Sequence, residues 1–284
     1  MQLHVCGVRG STPTSGASFT RYGGATSCLA LSHDGEAPTL VLDAGTGLRA
    51  VTRLLDGAPF RGTILLGHLH WDHTQGLPFF RAGDRPDAVV RLLLPEQRPV
   101  DGGEAADPLE VLERFMSPPH FPISPSQLRG RWSFEGLPPG RHRVEGFDVL
   151  ALDIPHKGGR TFGYRIGDGR ASIAYLSDHG PSQVGEGPDG WGPYHEDALA
   201  LADGVDVLVH DAQHTAAELP AVALFGHSAA DYPVRLAELA GARSVLLFHH
   251  DPERTDDQVD ALVASFADAA VPVSAAAEGV TITV

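Results

Sequence analysis

His68-Leu69-His70-Trp71-Asp72-His73 places four potential metal ligands within six residues. The stretch follows residues 62–67, GTILLG, an apolar run of strand length bounded by glycine. It runs into Gly76-Leu77-Pro78, where the chain turns away. Ending a buried strand in imidazoles and a carboxylate is poor packing, because burying unpartnered polar groups costs several kcal/mol. A divalent cation supplies the partner, and neutral imidazole with carboxylate suits zinc, iron or manganese. On an extended backbone, side chains two apart share a face, so His68, His70 and Asp72 are expected to point one way. His73 joins them only if the chain turns there.

The His-X-His-X-Asp-His pattern at a strand end resembles the signature of the metallo-β-lactamase-fold hydrolases. It differs from the helical zinc-protease pattern, whose two histidines stand four apart on one helix face. The resemblance runs from Gly7-Val8-Arg9-Gly10-Ser11 to His249-His250-Asp251-Pro252. It implies an α/β fold, a four-layered αββα sandwich, over residues 1–284 as one domain, with a Pro-rich insert near 95–145.

The chain in order agrees. Residues 3–8, 28–32 and 39–43 read as strands and 48–55 as a helix stopped near Asp56-Gly57. Residues 89–94 read as a strand and 107–115 as a helix, with Asp107 as N-cap and Pro108 first. Residues 116–125 are too rich in proline for a helix or a central strand. Phe115, Phe121 and Ile123 there either wall a substrate pocket or form a structural cover strap. Further strands are expected at 149–154, 161–166, 171–176, 205–209, 244–248 and 280–284. Gly167-Asp168-Gly169 should turn a hairpin. Helices are expected at 191–202, from Phe225 through Ala240 with Ser228 as N-cap, and at 256–269. Polar residues recur where strands end, at 68–73, 156, 178, 211 and 249, and strand C-termini are where α/β folds collect reactive groups.

The resemblance assigns those residues. His68, His70 and His156 match the ligands of one metal site. Asp72, His73 and His249 match those of a second, and Asp178 matches the aspartate that bridges both. His250, adjacent to His249, competes for the last position, and the strand end before Asp-Pro favours His249. Asp43 matches an aspartate that braces the ligand loop without binding metal; read blandly, it accepts backbone N–H groups in a turn. A complete His/Asp set implies two divalent ions, zinc first, with manganese or iron also suited, and a hydroxide between them as nucleophile. Val209-His210-Asp211-Ala212 resembles the His-Glu-Ala-Thr motif of the branch that holds tRNase Z and the cyclic-phosphate hydrolases, with Asp in the acid position. Gly226-His227-Ser228 resembles its Gly-His-Ser-Thr motif. By that match Asp211 orients His227, which acts as general acid or polarises the phosphate. Asp72, Asp211 and His227 are thus the catalytic candidates, while His179 and His210 receive no role.

tRNase Z enzymes carry a long arm between the ligands matched by His156 and Asp178, where this chain has room only for a tight hairpin. The 36 acidic against 21 basic residues, net −15, also argue against a nucleic-acid surface. A small phosphodiester or cyclic phosphate is therefore the expected substrate. Ester, thioester, lactone or β-lactam hydrolysis on the same scaffold is the alternative, and a non-catalytic metal-binding member is the third reading. No apolar run is long enough to cross a bilayer, and no signal peptide is read at the N-terminus. The two cysteines, Cys6 and Cys28, read as buried thiols in neighbouring strands, and a cytoplasmic location is the expectation. Relatives of the resemblance often form homodimers, and the sequence leaves the oligomeric state open.

Overall fold

The computed structural model describes residues 1–98 and 103–284. Apolar runs buried on both faces and separated by short helices produce two seven-stranded mixed sheets. The first takes β1 (Gln2–Gly7), β2 (Cys28–Ser32), β3 (Leu40–Leu42), β4 (Arg61–Leu65), β5 (Val89–Pro95) and β6 (Arg131–Leu137) in sequence order. The second takes β7 (Gly140–Val144), β8 (Phe147–Asp153), β9 (Phe162–Gly167), β10 (Ser172–Leu176), β11 (Val207–Asp211), β12 (Val245–Phe248) and β13 (Val273–Ala275). β14 (Thr281–Thr283) returns to pair antiparallel with β1. Each sheet begins antiparallel and continues parallel, from β3 onward in one and from β10 onward in the other.

Alternation along the strands sorts side chains into three cores. Leu29 and Leu31 of β2 face the second sheet, where they join Tyr164, Tyr175 and Phe248. Ala30, between them, faces outward to Val51 of α1 (Leu48–Leu54) and shares its cluster with Leu112 of α3 (Pro108–Glu113). The outer face of the second sheet is covered by Leu201 of α4 (Glu196–Ala202), Leu236 of α6 (Asp231–Ala240) and Leu262 of α7 (Asp256–Ala264). Three cores between four layers make the αββα sandwich. Two short helices, α2 (Trp71–Thr74) and α5 (Leu219–Val222), lie in loops. Cys6 and Cys28 are buried free thiols on adjacent strands.

Several expectations need correction. β6 and β7 lie inside the stretch read as an insert and form edges of the two sheets; residues 99–102 of that stretch lie outside the described residues. The helix expected from residue 191 begins at Glu196, because Gly192 has φ +113° and Pro193 follows it. The helix expected from Phe225 begins at Asp231. Ser228 caps nothing; its hydroxyl donates to the carbonyl of His179 at 2.6 Å. α7 ends at Ala264, five residues early. The Asp107 cap holds, accepting from the Leu109 amide at 2.7 Å.

β4, β10, β11 and β12 run in one direction within their parallel stretches, and their C-terminal ends meet at one edge of the sandwich. β8, antiparallel to β9, ends at that same edge and leads to His156. No helix among the described residues is long and apolar enough to cross a membrane.

Candidate metal centre

The six-residue stretch is not one extended segment. His68 and His70 lie on extended chain beyond β4, and the backbone then enters α2, which carries Asp72 and His73. That switch divides the candidate ligands. His68, His70, His156 and Asp178 form one cluster, and Asp72, His73, Asp178 and His249 form a second. Asp72 therefore does not share the face of His68 and His70 that simple alternation predicts. Asp178, after β10, belongs to both groups.

The spacing fits metal ions. Four ligand atoms set tetrahedrally at about 2.1 Å from one centre stand roughly 3.4 Å apart. In the first cluster Nε2 of His156 lies 3.2 Å from Nδ1 of His70 and 3.4 Å from Oδ2 of Asp178, which is 3.7 Å from Nε2 of His68. In the second, Nε2 of His73 lies 3.3 Å from Nε2 of His249, 3.3 Å from Oδ2 of Asp72 and 2.9 Å from Oδ1 of Asp178. Nε2 of His68, which faces the first cluster, and Oδ1 of Asp178 are buried with no hydrogen-bond partner. Such orphans are costly unless a cation meets them. Burial alone would raise the Asp178 carboxyl, but the rings of His249, His73 and His68 hold it well below the ordinary range. Burial pushes the His68 ring well down, which keeps it neutral and able to donate a lone pair.

Groups behind the candidate ligands fix their orientation. Asp43, following β3, accepts at 2.7 Å from Nδ1 of His73, from the Gly67 amide and from the Tyr175 hydroxyl, and at 3.3 Å from Ser177. Nδ1 of His156 donates to the carbonyl of Gly226 at 2.6 Å. Nδ1 of His249 faces Oε1 of Gln213 at 3.1 Å, and Gln213 in turn donates to Ser11 at 3.1 Å. The Ser11 amide donates to Oδ2 of Asp72 at 2.7 Å. Ser11 and Gln213 carried no signal in the sequence beyond lying beside motif residues.

Backbone strain serves the same end. Asp43 and His249 both adopt the left-handed region, at φ +60° and +59°, a conformation non-glycine residues avoid. At His249 this turns consecutive side chains apart. His249 enters the cluster, 3.1 Å from Asp178 and 3.2 Å from Asp72, while His250 points to the carbonyl of Ala276 at 3.0 Å. Gly10 makes room for the ring, since a Cβ there would stand 2.5 Å from it.

His227 lies beside both clusters. Its Nδ1 donates to Oδ2 of Asp211 at 2.8 Å, and its ring stacks on that of His249 with centroids 5.0 Å apart. Burial opposes the cation, yet Asp211 outweighs it and the ring is pushed up to about 9. Asp211 is further held by the amides of Gln213 at 3.0 Å and His179 at 3.2 Å. His179 and His210, assigned no role, are buried and form a chain with the half-buried His195, with ring nitrogens 2.8 and 2.7 Å apart.

The opening above the clusters is a cavity of about 370 Å³ lined by Ser11, His70, Trp71, Asp72, Asp178 and His227. Beside it, Phe115 and Phe121 of the Pro-rich stretch line a second cavity, which Ile123 does not reach.

A family model described as a beta-lactamase superfamily domain matches residues 39–250, from β3 to the last histidine pair. Over 56 residues the chain is 42% identical to ribonuclease Z of Thermoplasma volcanium, covering 20% of this chain and 18% of that protein, so it spans less than a fifth of that relative's length. Among solved structures, the metallo-beta-lactamase fold protein YhfI from Bacillus subtilis superposes with a TM-score of 0.69 at 18% identity, covering 99% of this chain and 98% of that one. The short form of human tRNase Z gives 0.66 at 19%, covering 100% and 99%. A diphosphatase from the PhnP family gives 0.67 at 16%, covering 100% and 97%. The chain therefore belongs to the beta-lactamase superfamily as a metallo-β-lactamase-fold protein, and it resembles the tRNase Z branch of that fold.

Proposed function

We propose that the protein is a dinuclear metal-dependent phosphodiesterase that cleaves a small phosphodiester or cyclic phosphate. The observation that carries this reading is the Asp211–His227 pair, 2.8 Å apart and buried, at the edge of two adjoining ligand clusters. His68, His70, His156 and Asp178 would hold one ion, and Asp72, His73, Asp178 and His249 the other. Bound there, two divalent ions supply Lewis acidity toward phosphate oxygens and make water nucleophilic near neutral pH. Zinc is the first choice, and manganese or iron suits the same donors.

The chain's own residues supply the rest. Asp211 spends one oxygen on Nδ1 of His227 and the other on the Gln213 amide, which fixes the ring. Nε2 is then the free nitrogen of a ring lining the cavity. A protonated His227 stabilises charge developing on the phosphate or protonates the leaving oxygen. Asp72 holds its place through the Ser11 amide at 2.7 Å and sets the second cluster against the cavity.

Two features favour a small substrate over a structured RNA. Between His156 and Asp178 the chain forms only the β9–β10 hairpin, and the net charge is −15. The buried thiols of Cys6 and Cys28 are free, as a reducing compartment favours, so a cytoplasmic small molecule is the substrate this reading takes.

Ester, thioester, lactone or β-lactam cleavage is the competing chemistry, and it has no evident use for the His227–Asp211 pair. Parallel assays of the metal-loaded protein with bis-p-nitrophenyl phosphate and p-nitrophenyl acetate separate the two. Turnover of the diester well above that of the ester is expected. The reverse preference would sink the phosphodiesterase reading.

A further inference from the structure

Trp71 stands between two ligands, His70 and Asp72, and 74% of it is exposed. An exposed aromatic residue is ordinary by itself. This one is a wall of both the cavity over the ligand clusters and a second cavity of about 520 Å³ beside it. Phe79, 56% exposed, and Phe121 continue the second cavity, meeting edge to face with centroids 5.9 Å apart. Gln75, Arg114 and His120 add polar groups to its lining. The floor is rigid. Trp71 begins α2, whose next two residues are candidate ligands, and Phe79 ends the turn Leu77–Phe79 just after it. Met116 is buried at the start of the Pro-rich stretch that carries Phe121.

Resting on the phosphodiesterase reading, the geometry points to a specificity pocket for a planar aromatic group of the nucleobase class, covalently attached to the scissile phosphodiester. A diester seated over the clusters has one substituent directed past Trp71 into this cavity. Flat aromatic walls select a flat aromatic group, because stacking and edge-to-face contacts depend on ring geometry that an alkyl chain does not match. Donors and acceptors among the walls suit the polar edge of a base, as small-molecule pockets combine apolar surface with a few polar groups. The substrate class is then a nucleotide-derived small diester, and Trp71, Phe79 and Phe121 are its specificity-determining residues.

The test compares two chromogenic diesters with the same leaving group, thymidine 5′-p-nitrophenyl phosphate and methyl p-nitrophenyl phosphate, on metal-loaded protein. The nucleoside diester should be preferred by roughly ten-fold or more in kcat/KM, carried by KM. In Phe79→Ala and Phe121→Ala that ratio should fall toward one. A second readout is independent of turnover. Adenosine 5′-monophosphate should quench part of the tryptophan fluorescence saturably where ribose 5-phosphate does not, and Trp71→Phe should remove that component while Trp132 and Trp191 still emit. Equal use of the two diesters, or quenching that survives in Trp71→Phe, overturns the pocket while leaving the phosphodiesterase reading intact. Hydrolysis of neither diester by fully loaded protein overturns that reading and this inference with it.

Discussion

Nδ1 of His73 donates to Oδ2 of Asp43 at 2.7 Å, with both side chains fully buried. The pair joins the end of β3 to α2, so the strand beside β4, which delivers the ligand loop, also orients one of its rings. Asp43 accepts from the Gly67 amide and the Tyr175 hydroxyl as well, so one carboxylate satisfies donors from both sheets.

Asp43→Ala leaves those donors buried and unpaired, at about 1–3 kcal/mol for each group not rescued by water. The variant should lose about 2–4 kcal/mol of unfolding free energy. Its metal affinity should fall roughly 10- to 100-fold, the usual cost of removing a carboxylate behind a ligating histidine. Denaturant unfolding and titration against a chromogenic chelator read the two effects. Wild-type values in both would remove Asp43 from the site.

Gly10 faces the ring of His249, and a Cβ would stand 2.5 Å from Cε1 and Nδ1. Gly10→Ala should displace the ring and weaken the second cluster while the first, which does not use His249, stays intact. Metal analysis after gel filtration should give two ions per chain in the wild type and about one in the variant. Two tightly held ions in Gly10→Ala would show that His249 is not a ligand or that the ring moves freely.

Chelation should expose the cost of the clusters themselves. His68 and Asp178 are buried with polar atoms that have no protein partner. Metal present at a thousandfold its dissociation constant contributes about 4 kcal/mol. For a chain of this size that corresponds to a fall of roughly 10 °C in the unfolding midpoint on chelation. Calorimetry with and without chelator checks it, and restoration by zinc separates metal loss from damage. An unchanged midpoint would mean the clusters bind nothing.

How much of this was legible in the sequence depends on distance along the chain. His68, His70, Asp72 and His73 announce themselves because four ligands in six residues have no packing rationale, and the polar residues ending β10, β11 and β12 follow the α/β rule. The division of the six into two clusters was not legible, since it depends on the backbone entering α2 at Trp71. A serine before an apolar stripe usually caps a helix, but the Ser228 hydroxyl is taken by the carbonyl of His179, distant in sequence. Ser11 and Gln213 act through contacts that only the tertiary fold creates. β6, β7 and β13, which the sequence pattern does not show, are all sheet edges, where half-exposed, charged or very short segments lack an apolar run. The strand end before Asp-Pro already favours His249 over His250, and the left-handed backbone at His249 is what turns the two rings apart.

Burial works against the His227 cation, and Asp211 is the foremost of the carboxylates that raise its pKa, ahead of Asp178 and Asp72. A general acid is active while protonated, so its activity is lost as pH rises through its pKa. Asp211→Asn removes the main cause of the upward shift. The alkaline fall of kcat should therefore move to lower pH in that variant, with a smaller maximum. A pH profile unchanged in shape would place the proton elsewhere.

Turnover of bis-p-nitrophenyl phosphate by protein of measured metal content, beside His227→Ala, decides whether the chain is a dinuclear phosphodiesterase. The prediction is turnover with two ions per chain, reduced by roughly 10²- to 10⁴-fold in the variant at the same metal content. No turnover in the fully loaded wild type, or equal turnover in the variant, would contradict it.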